Sequence, residues 1–271
     1  MPILELTDFS QPGPGLFYHL TDAQLRSRQE PEKGIFIAEG PKVVHTALDA
    51  GYEPVSLLMR RRFTADEQGL AIIRRCGDIP VYTADDSLLA ELTGFKLQRS
   101  WVLCALRRPA PRFMGPILEK ARRVAVLEGI TEPSNVGAIF RSAAALGADA
   151  ILLTPTCCDP LHRRAVRVCM GAVFTVPWAR TGEELGFPWL KANGFTMLGL
   201  ALREDCLTLD DPRLPAIDKL AVYLGTEDTG LTEAAIGQCD HIAKIPRAEG
   251  IDSLNVAAAA AVAFWQLRYR K

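Results

Sequence analysis

The chain has 271 residues, 48% hydrophobic, 23% charged and 7% aromatic, a composition that excludes whole-chain disorder, collagen-like repeats and coiled coil and fits one or two globular domains. Net charge is −1 and stays balanced along the chain, with 13 Lys and Arg against 14 Asp and Glu in residues 1–110 and 18 against 18 beyond, so a partner held by bulk charge is not indicated and only local patches remain open. Seven cysteines (76, 104, 157, 158, 169, 206 and 239) form an odd set without a CxxC pair, which argues against a disulfide framework or zinc ribbon and fits a reducing cytoplasm.

The first residues, MPILELTDFSQPGPG, lack a basic stretch followed by an apolar one, so no signal peptide is expected. Strand-like and helix-like segments then alternate: strands at 34–39, 54–59, 79–83 and 101–106, and helices at 41–50, 65–75 and 86–92. Pro41 suits a first helical turn, and Gly51 a stop. This alternation predicts a layered α/β domain over residues 1–108. Residues 109–117, rich in proline, read as a linker, because proline holds the chain extended and cannot continue a ladder. A second α/β domain is expected over 118–271, with strands at 124–129, 150–154, 196–201, 221–225 and 241–245. Helices fill the gaps at about 135–147, 161–170, 183–193, 232–238 and 254–268. The apolar run Val256–Trp265 is about half the ~20 residues of a membrane span, so no membrane segment is expected.

Several chemistries lack their signals. The four histidines (19, 45, 162 and 241) never stand at HxxxH spacing, so no metal site is expected, and His19 and His162 read as surface residues. No GxSxG or GxxxxGK[ST] occurs, and the nearest glycine pair to a dinucleotide fingerprint, Gly13 and Gly15, follows no strand. The adjacent Cys157 and Cys158 read as buried small hydrophobes.

Three segments carry more. In EGITEPSNVGAIFRSAAALGADAILL (128–153) a strand ends at Glu128 and a polar loop leads to a helix for which Asn135 is the expected N-cap, with Gly137 permitting close approach and Arg141 six residues on. A capped helix with a solvated arginine accounts for this segment alone. In AVYLGTEDTGL (221–231) an apolar strand runs into Gly225, Glu227 and Gly230, exposing backbone groups to a ligand; a plain βα turn with a carboxylate near a helix start reads equally well. In HIAKIPRAEGIDSLNVAAAAAVAFWQ (241–266) a strand leads to a helix capped by Ser253 or Asn255, whose alanines either pack closely or serve helix propensity alone.

In order, N-x-G-x-x-x-R, G-x-E-x-x-G-L, and I-P followed by S-L-N resemble the SpoU family of the knotted SPOUT RNA methyltransferases. The matching residues are Asn135, Gly137 and Arg141, then Gly225, Glu227, Gly230 and Leu231, then Ile245, Pro246, Ser253, Leu254 and Asn255. Residues 1–108 resemble the family's smaller substrate-binding domain, itself similar to RNA-binding ribosomal proteins, through LRSRQEPEKGIFIAEGPKVVHTAL (25–48).

The resemblance implies a C-terminal α/β domain with a trefoil knot, an exception to unknotted topology, and methyl transfer from S-adenosylmethionine to a ribose 2′-hydroxyl of RNA, ribosomal before transfer RNA. It implies cofactor contacts at Leu200, Leu224, Gly225, Thr226, Gly230, Ile245 and Leu254, and reaction roles for Asn135, Arg141, Glu227, Ser253 and Asn255. Arg141 would hold the 2′-hydroxyl or an adjacent phosphate and take its proton late, since a guanidinium is normally never deprotonated. A homodimer in the cytoplasm is also implied, without metal or membrane. Two positions depart from the family pattern: Asp228 stands where glycine is usual, and Arg247 where an apolar residue is frequent. They keep open a protein of the same fold that binds RNA without methylating it, and base methylation is a third reading. Phosphate contacts are expected from Arg60–Arg62, from Arg99, Arg107, Arg108, Arg112, Lys120, Arg122 and Arg123, and from Arg163, Arg164 and Arg167. No aromatic stacking platform shows in the spacing.

Overall fold

A computed structural model describes residues 3–8, 13–18, 24, 34–93, 101–246, 248 and 253–269. The readings made for His19, residues 25–33, Arg99 and Arg247 lie outside the described residues. In chain order the strands are β1 (Ile3–Glu5), β2 (Ile35–Glu39), β3 (Pro54–Arg60), β4 (Val81–Ala84), β5 (Val102–Arg107), β6 (Arg123–Leu127), β7 (Ala150–Leu153), β8 (Trp178–Arg180), β9 (Thr196–Leu200), β10 (Leu207–Thr208), β11 (Leu220–Leu224) and β12 (His241–Lys244). The helices are α1 (Pro41–Asp49), α2 (Glu67–Cys76), α3 (Asp86–Thr93), α4 (Gly115–Lys120), α5 (Pro133–Leu146), α6 (Arg163–Val168), α7 (Ala172–Thr175), α8 (Phe187–Ala192), α9 (Arg213–Ala216), α10 (Glu233–Ile236) and α11 (Val256–Gln266). Among the described residues no helix is long and apolar enough to cross a membrane.

The chain divides into two compact units, Met1–Pro111 with Leu161–Phe174, and Arg112–Pro160 with Thr175–Lys271. In the first unit the sheet order is β1-β4-β3-β5-β2, with β1, β4 and β3 parallel and β5 antiparallel to β3 and β2. Leu58, Tyr82, Leu89 and Leu103 pack in its core. The segment read as one helix over 161–170 is instead α6, broken at Met170 and Gly171, whose φ values of 54° and 87° cannot continue a right-handed helix. It docks on the first unit's sheet: Phe174 packs on Tyr52 and Phe36 with ring centroids 5.0 and 5.6 Å away. Arg163 and Arg167 stand 3.5 and 3.8 Å from the buried carboxylate of Glu39 on β2.

The second unit is a seven-stranded, wholly parallel sheet in the order β10-β12-β9-β11-β6-β7-β8. Strands β6 and β11 are buried at every position, which is why each reads as a continuous apolar run without alternation. Tyr223 of β11 stacks on Phe187 with centroids 4.6 Å apart and donates to the Leu185 carbonyl at 3.3 Å; burial pushes its hydroxyl above the ordinary tyrosine range. Leu198, Leu220 and Val222 form a separate cluster with Ala263 and Leu267 at the end of α11.

Two helix starts differ from one another in how the sequence specifies them. Asn135 is not the cap of α5: the helix begins at Pro133, and the Glu132 side chain accepts the Ser134 N–H at 3.3 Å. Proline's fixed φ suits a first helical position, so it starts the helix before Asn135 is reached. Asn255 does cap α11, its Oδ1 accepting from the N–H groups of Ala257 and Ala258 at 3.0 and 3.4 Å.

The end of α11 is held by a buried cation. Arg123, first residue of β6, donates to the carbonyls of Leu267, Arg122 (2.9 Å), Asp218 (2.8 Å) and Pro215 (3.2 Å). Burial holds its guanidinium below the usual arginine range, with Asp149 and Asp218 opposing the shift. Arg123→Met keeps the aliphatic stem but strands these carbonyls, at a cost of roughly 3 kcal/mol. The expected outcome is a lower urea midpoint with loss of hydrogen-exchange protection at the C-terminal end of α11; unchanged protection there contradicts this account of the pin.

Candidate functional site

Strands β12, β9 and β11 are neighbours, and the loops leaving their carboxyl ends enclose a cavity of about 390 Å³. The crevice outside the carboxyl ends is where open α/β sheets bind ligands. Leu200, Leu224, Ile245 and Leu254 give the cavity apolar walls. Gly225, Thr226 and Gly230 supply backbone, so all the residues read as cofactor contacts border one space. Glu227 and Ser253 line it as well.

The loop after β11 is closed on itself. Thr226 and Gly230 exchange backbone hydrogen bonds of 3.2 and 3.1 Å, and the hydroxyls of Thr226 and Thr229 lie 2.9 Å apart. The turn needs glycine twice, for different reasons. Gly230 has φ +70°, and a Cβ on Gly225 would stand 2.2 Å from the Gly230 carbonyl carbon. Behind the loop, the buried carboxylate of Glu128 accepts from the Thr232 N–H at 3.0 Å and its hydroxyl at 2.8 Å. The same hydroxyl accepts from the Ala235 N–H at 3.1 Å and so caps α10.

Two positions distant in sequence meet at Glu227. Its Oε1 accepts from Asn135 Nδ2 in the first turn of α5, and from Asn255 Nδ2 at 3.3 Å. Asn255 Nδ2 also donates to Asn135 Oδ1 at 3.0 Å. One carboxylate therefore ties the β11 loop to the starts of both helices. Arg141 is not brought to this cluster. Six helical residues place it ~9 Å farther along α5 and about 120° around it from Asn135. It is exposed, lines no part of the cavity, and makes no hydrogen bond or ion pair among the described residues.

The cavity also holds residues the motifs did not point to: Leu202 and Arg203 after β9, Glu233 at the start of α10, and Lys244 at the end of β12. The signal that finds them is positional, namely that they follow or close the same three strand ends. The arginine patches are largely internal pairs. Arg60 faces Asp86, Arg61 Glu5, Arg107 Glu53, Arg122 Asp218, and Arg163 and Arg167 share Glu39. Arg123 is buried. Each carboxylate comes from another element, which linear spacing does not show. Spacing also conceals a stacked aromatic pair in this region, Phe63 on Trp101 with centroids 4.1 Å apart and Arg62 over the Phe63 ring. Among the described residues no group of three or more His, Cys, Asp or Glu is placed to hold a metal ion.

Comparison with known proteins agrees with the motifs. The model of the SpoU rRNA methylase family matches residues 122–265. An uncharacterized tRNA/rRNA methyltransferase of Mycobacterium bovis is 35% identical over 270 residues, covering 98% of this chain and 92% of its own. The 23S rRNA (adenosine(1067)-2′-O)-methyltransferase of Streptomyces azureus is 30% identical over 192 residues, 69% of this chain and 70% of its own. The structure of an AdoMet-bound rRNA methyltransferase from Sinorhizobium meliloti superposes with a TM-score of 0.83 at 25% identity, covering 98% of this chain and 97% of that one.

The cluster at Glu227 is testable whatever fills the cavity. Asp caps helices as well as Asn does, so Asn255→Asp keeps the cap of α11 but faces Glu227 with a second carboxylate. The variant is expected to lose about 1–2 kcal/mol in chemical denaturation, with Glu227→Gln restoring most of it in the double variant. Additive losses would contradict the coupling.

Proposed function

The chain belongs to the SpoU rRNA methylase family, and from that premise we propose that it transfers a methyl group from S-adenosylmethionine to a ribose 2′-hydroxyl of RNA, with ribosomal RNA as the substrate. The observation that carries this reading is the cavity at the ends of β9, β11 and β12, whose edge is fixed by the Asn135–Glu227–Asn255 cluster. Its volume falls within the ~300–1,000 Å³ of small-molecule sites. Apolar walls with exposed strand-end backbone suit an adenine and its ribose, and charged side chains of both signs at the rim suit a sulfonium bearing an amino acid. When bound, the cofactor supplies a methyl group on a positively charged sulfur.

The chain's own residues then have separable tasks. Leu200, Leu224, Ile245 and Leu254 exclude water from the apolar part of the ligand. Gly225, Thr226 and Gly230 present backbone donors and acceptors. Glu227 is held by two amide donors and in turn holds the β11 loop, while Ser253 lines the same edge. Arg141, exposed and without a hydrogen bond or ion pair among the described residues, holds the ribose hydroxyl or the neighbouring phosphate and stabilises the charge that develops on the oxygen as its proton passes to solvent water. Alignment of hydroxyl and methyl supplies most of the rate.

Arg141 stands away from the cavity of its own chain, and we read the working form as a homodimer in which a second copy completes the site. Support comes from the last helix, where Val262 and Trp265 are 43 and 57% exposed and stand three residues apart on one face. Helix α11 packs on α5, which carries Arg141. A trefoil knot in residues 118–271, an RNA-binding role for residues 1–108 and a place in the cytoplasm belong to the same reading, the last supported by seven free thiols. Asp228 is exposed at the rim, and a carboxylate beside a sulfonium is compatible with binding.

Labelled methyl transfer to RNA from cells lacking this protein, followed by digestion to nucleosides, tests the reaction. The expected product is a 2′-O-methylnucleoside, with Arg141→Ala lowering the rate about 100-fold or more while cofactor affinity and circular dichroism stay unchanged. Label on a base, or an undiminished rate in the variant, contradicts the assignment. In sedimentation, Trp265→Asp is expected to convert a dimer to a monomer and to abolish transfer; a wild-type monomer overturns the shared-site reading.

A further inference from the structure

We propose that Arg203 and Glu233 form the subsite for the charged amino-acid end of the cofactor, Arg203 receiving its carboxylate and Glu233 its ammonium. This rests on the cofactor reading above and assigns the part of the cavity that the motifs leave unaccounted for.

Among the described residues five charged side chains line the cavity, and apart from Glu233 they are sorted by sign. Glu227 belongs to the β11 loop and is engaged by amides from α5 and α11, and Asp228 follows it. The two cations lie on the other side: Arg203 follows β9, and Lys244 ends β12, the strand beyond β9 from β11. They are joined, because Lys244 Nζ donates to the Arg203 carbonyl at 3.2 Å. Glu233, at the start of α10, accepts from Arg203 Nη2 and spans from the α10 side of the mouth to the β9 loop. Among the described residues, a carboxylate entering this cavity finds its cations at Arg203 and Lys244. A sulfonium is repelled there and favoured near Glu227 and Asp228. The charges of the cavity thus orient the ligand, tail toward β9 and β12 and methyl toward the loop that Asn135 and Asn255 hold.

The pair is also built to open. Side-chain exposures of 44 and 82% make it a surface ion pair, a kind whose net contribution to stability is small. An α-amino acid carries both charges on one carbon, so each partner exchanges an opposite charge on the protein for one on the ligand. No charge is left unpaired, and the exchange crosses the mouth of the cavity.

Calorimetry on the full chain separates this subsite from the rest of the cavity. S-adenosylhomocysteine carries the amino-acid end, and 5′-methylthioadenosine lacks it. Arg203→Ala is expected to weaken S-adenosylhomocysteine tenfold or more and to leave 5′-methylthioadenosine within twofold. Glu233→Gln shifts affinity in the same direction, and Arg203→Lys recovers part of the loss. Both side chains are exposed, and matched thermal melts verify the fold. Unchanged S-adenosylhomocysteine affinity in both variants overturns the subsite, as does equal weakening of the two ligands, which would mark a change of cavity shape. If the unsubstituted protein binds neither ligand, the cofactor reading itself falls and takes the subsite with it.

Discussion

A single carboxylate sets the geometry on which the site depends. Glu227 leaves the sheet on the loop after β11, and the amides of Asn135 and Asn255 converge on it from the first turn of α5 and the cap of α11. The amides also bond each other, so neither can turn away without breaking a second contact. Asn255 uses its oxygen for the helix cap and its nitrogen for the cluster. Its rotamer is thus fixed from both ends. Segments 92 and 120 residues from Asn135 are thereby held at hydrogen-bond distance, and the cavity edge is as rigid as the helices that supply it.

The surrounding architecture keeps that carboxylate in place. Parallel strands β9, β11 and β12 end side by side, so their loops rise from one edge of the sheet. Gly225 lets the β11 loop fold back until its backbone touches Gly230, and the buried Glu128 anchors the exit of the loop through Thr232. At the far end of α11, Arg123 spends its guanidinium on main-chain carbonyls. The helix that carries Asn255 is therefore tied at both ends, by an amide cap at its start and a buried cation at its finish. Stability and site geometry share these contacts, while Arg141 is exposed and makes no hydrogen bond or ion pair among the described residues.

Much of this was legible in the sequence because parallel strands are buried on both faces. Val124–Leu127 and Ala221–Leu224 read as apolar runs, and glycine and polar residues mark where each run ends. The same strand ends carry the SpoU motifs, so site and fold became readable together. Short elements escaped: β8 and β10 have three and two residues, too few for any periodicity. The start of α5 was misplaced because TEPSN offers more than one capping residue and Pro133 decides between them. Residues 161–170 read as a helix, but which sheet this segment packs on depends on Phe174 meeting Tyr52 and on Glu39 meeting Arg163. Pairings between distant residues leave no local trace, and for the same reason linear spacing does not show that Arg60, Arg61, Arg107, Arg122, Arg163 and Arg167 each face a carboxylate. Arg203 and Glu233 escaped similarly, since nothing near either residue names the other.

The most direct test of the account is a crystal structure of the protein with S-adenosylhomocysteine. The account predicts the ligand among the loops after β9, β11 and β12, with Asn135, Glu227 and Asn255 still bonded to one another at its edge. A ligand bound elsewhere, or a cluster that must break to admit it, would contradict the claim that this carboxylate shapes the site.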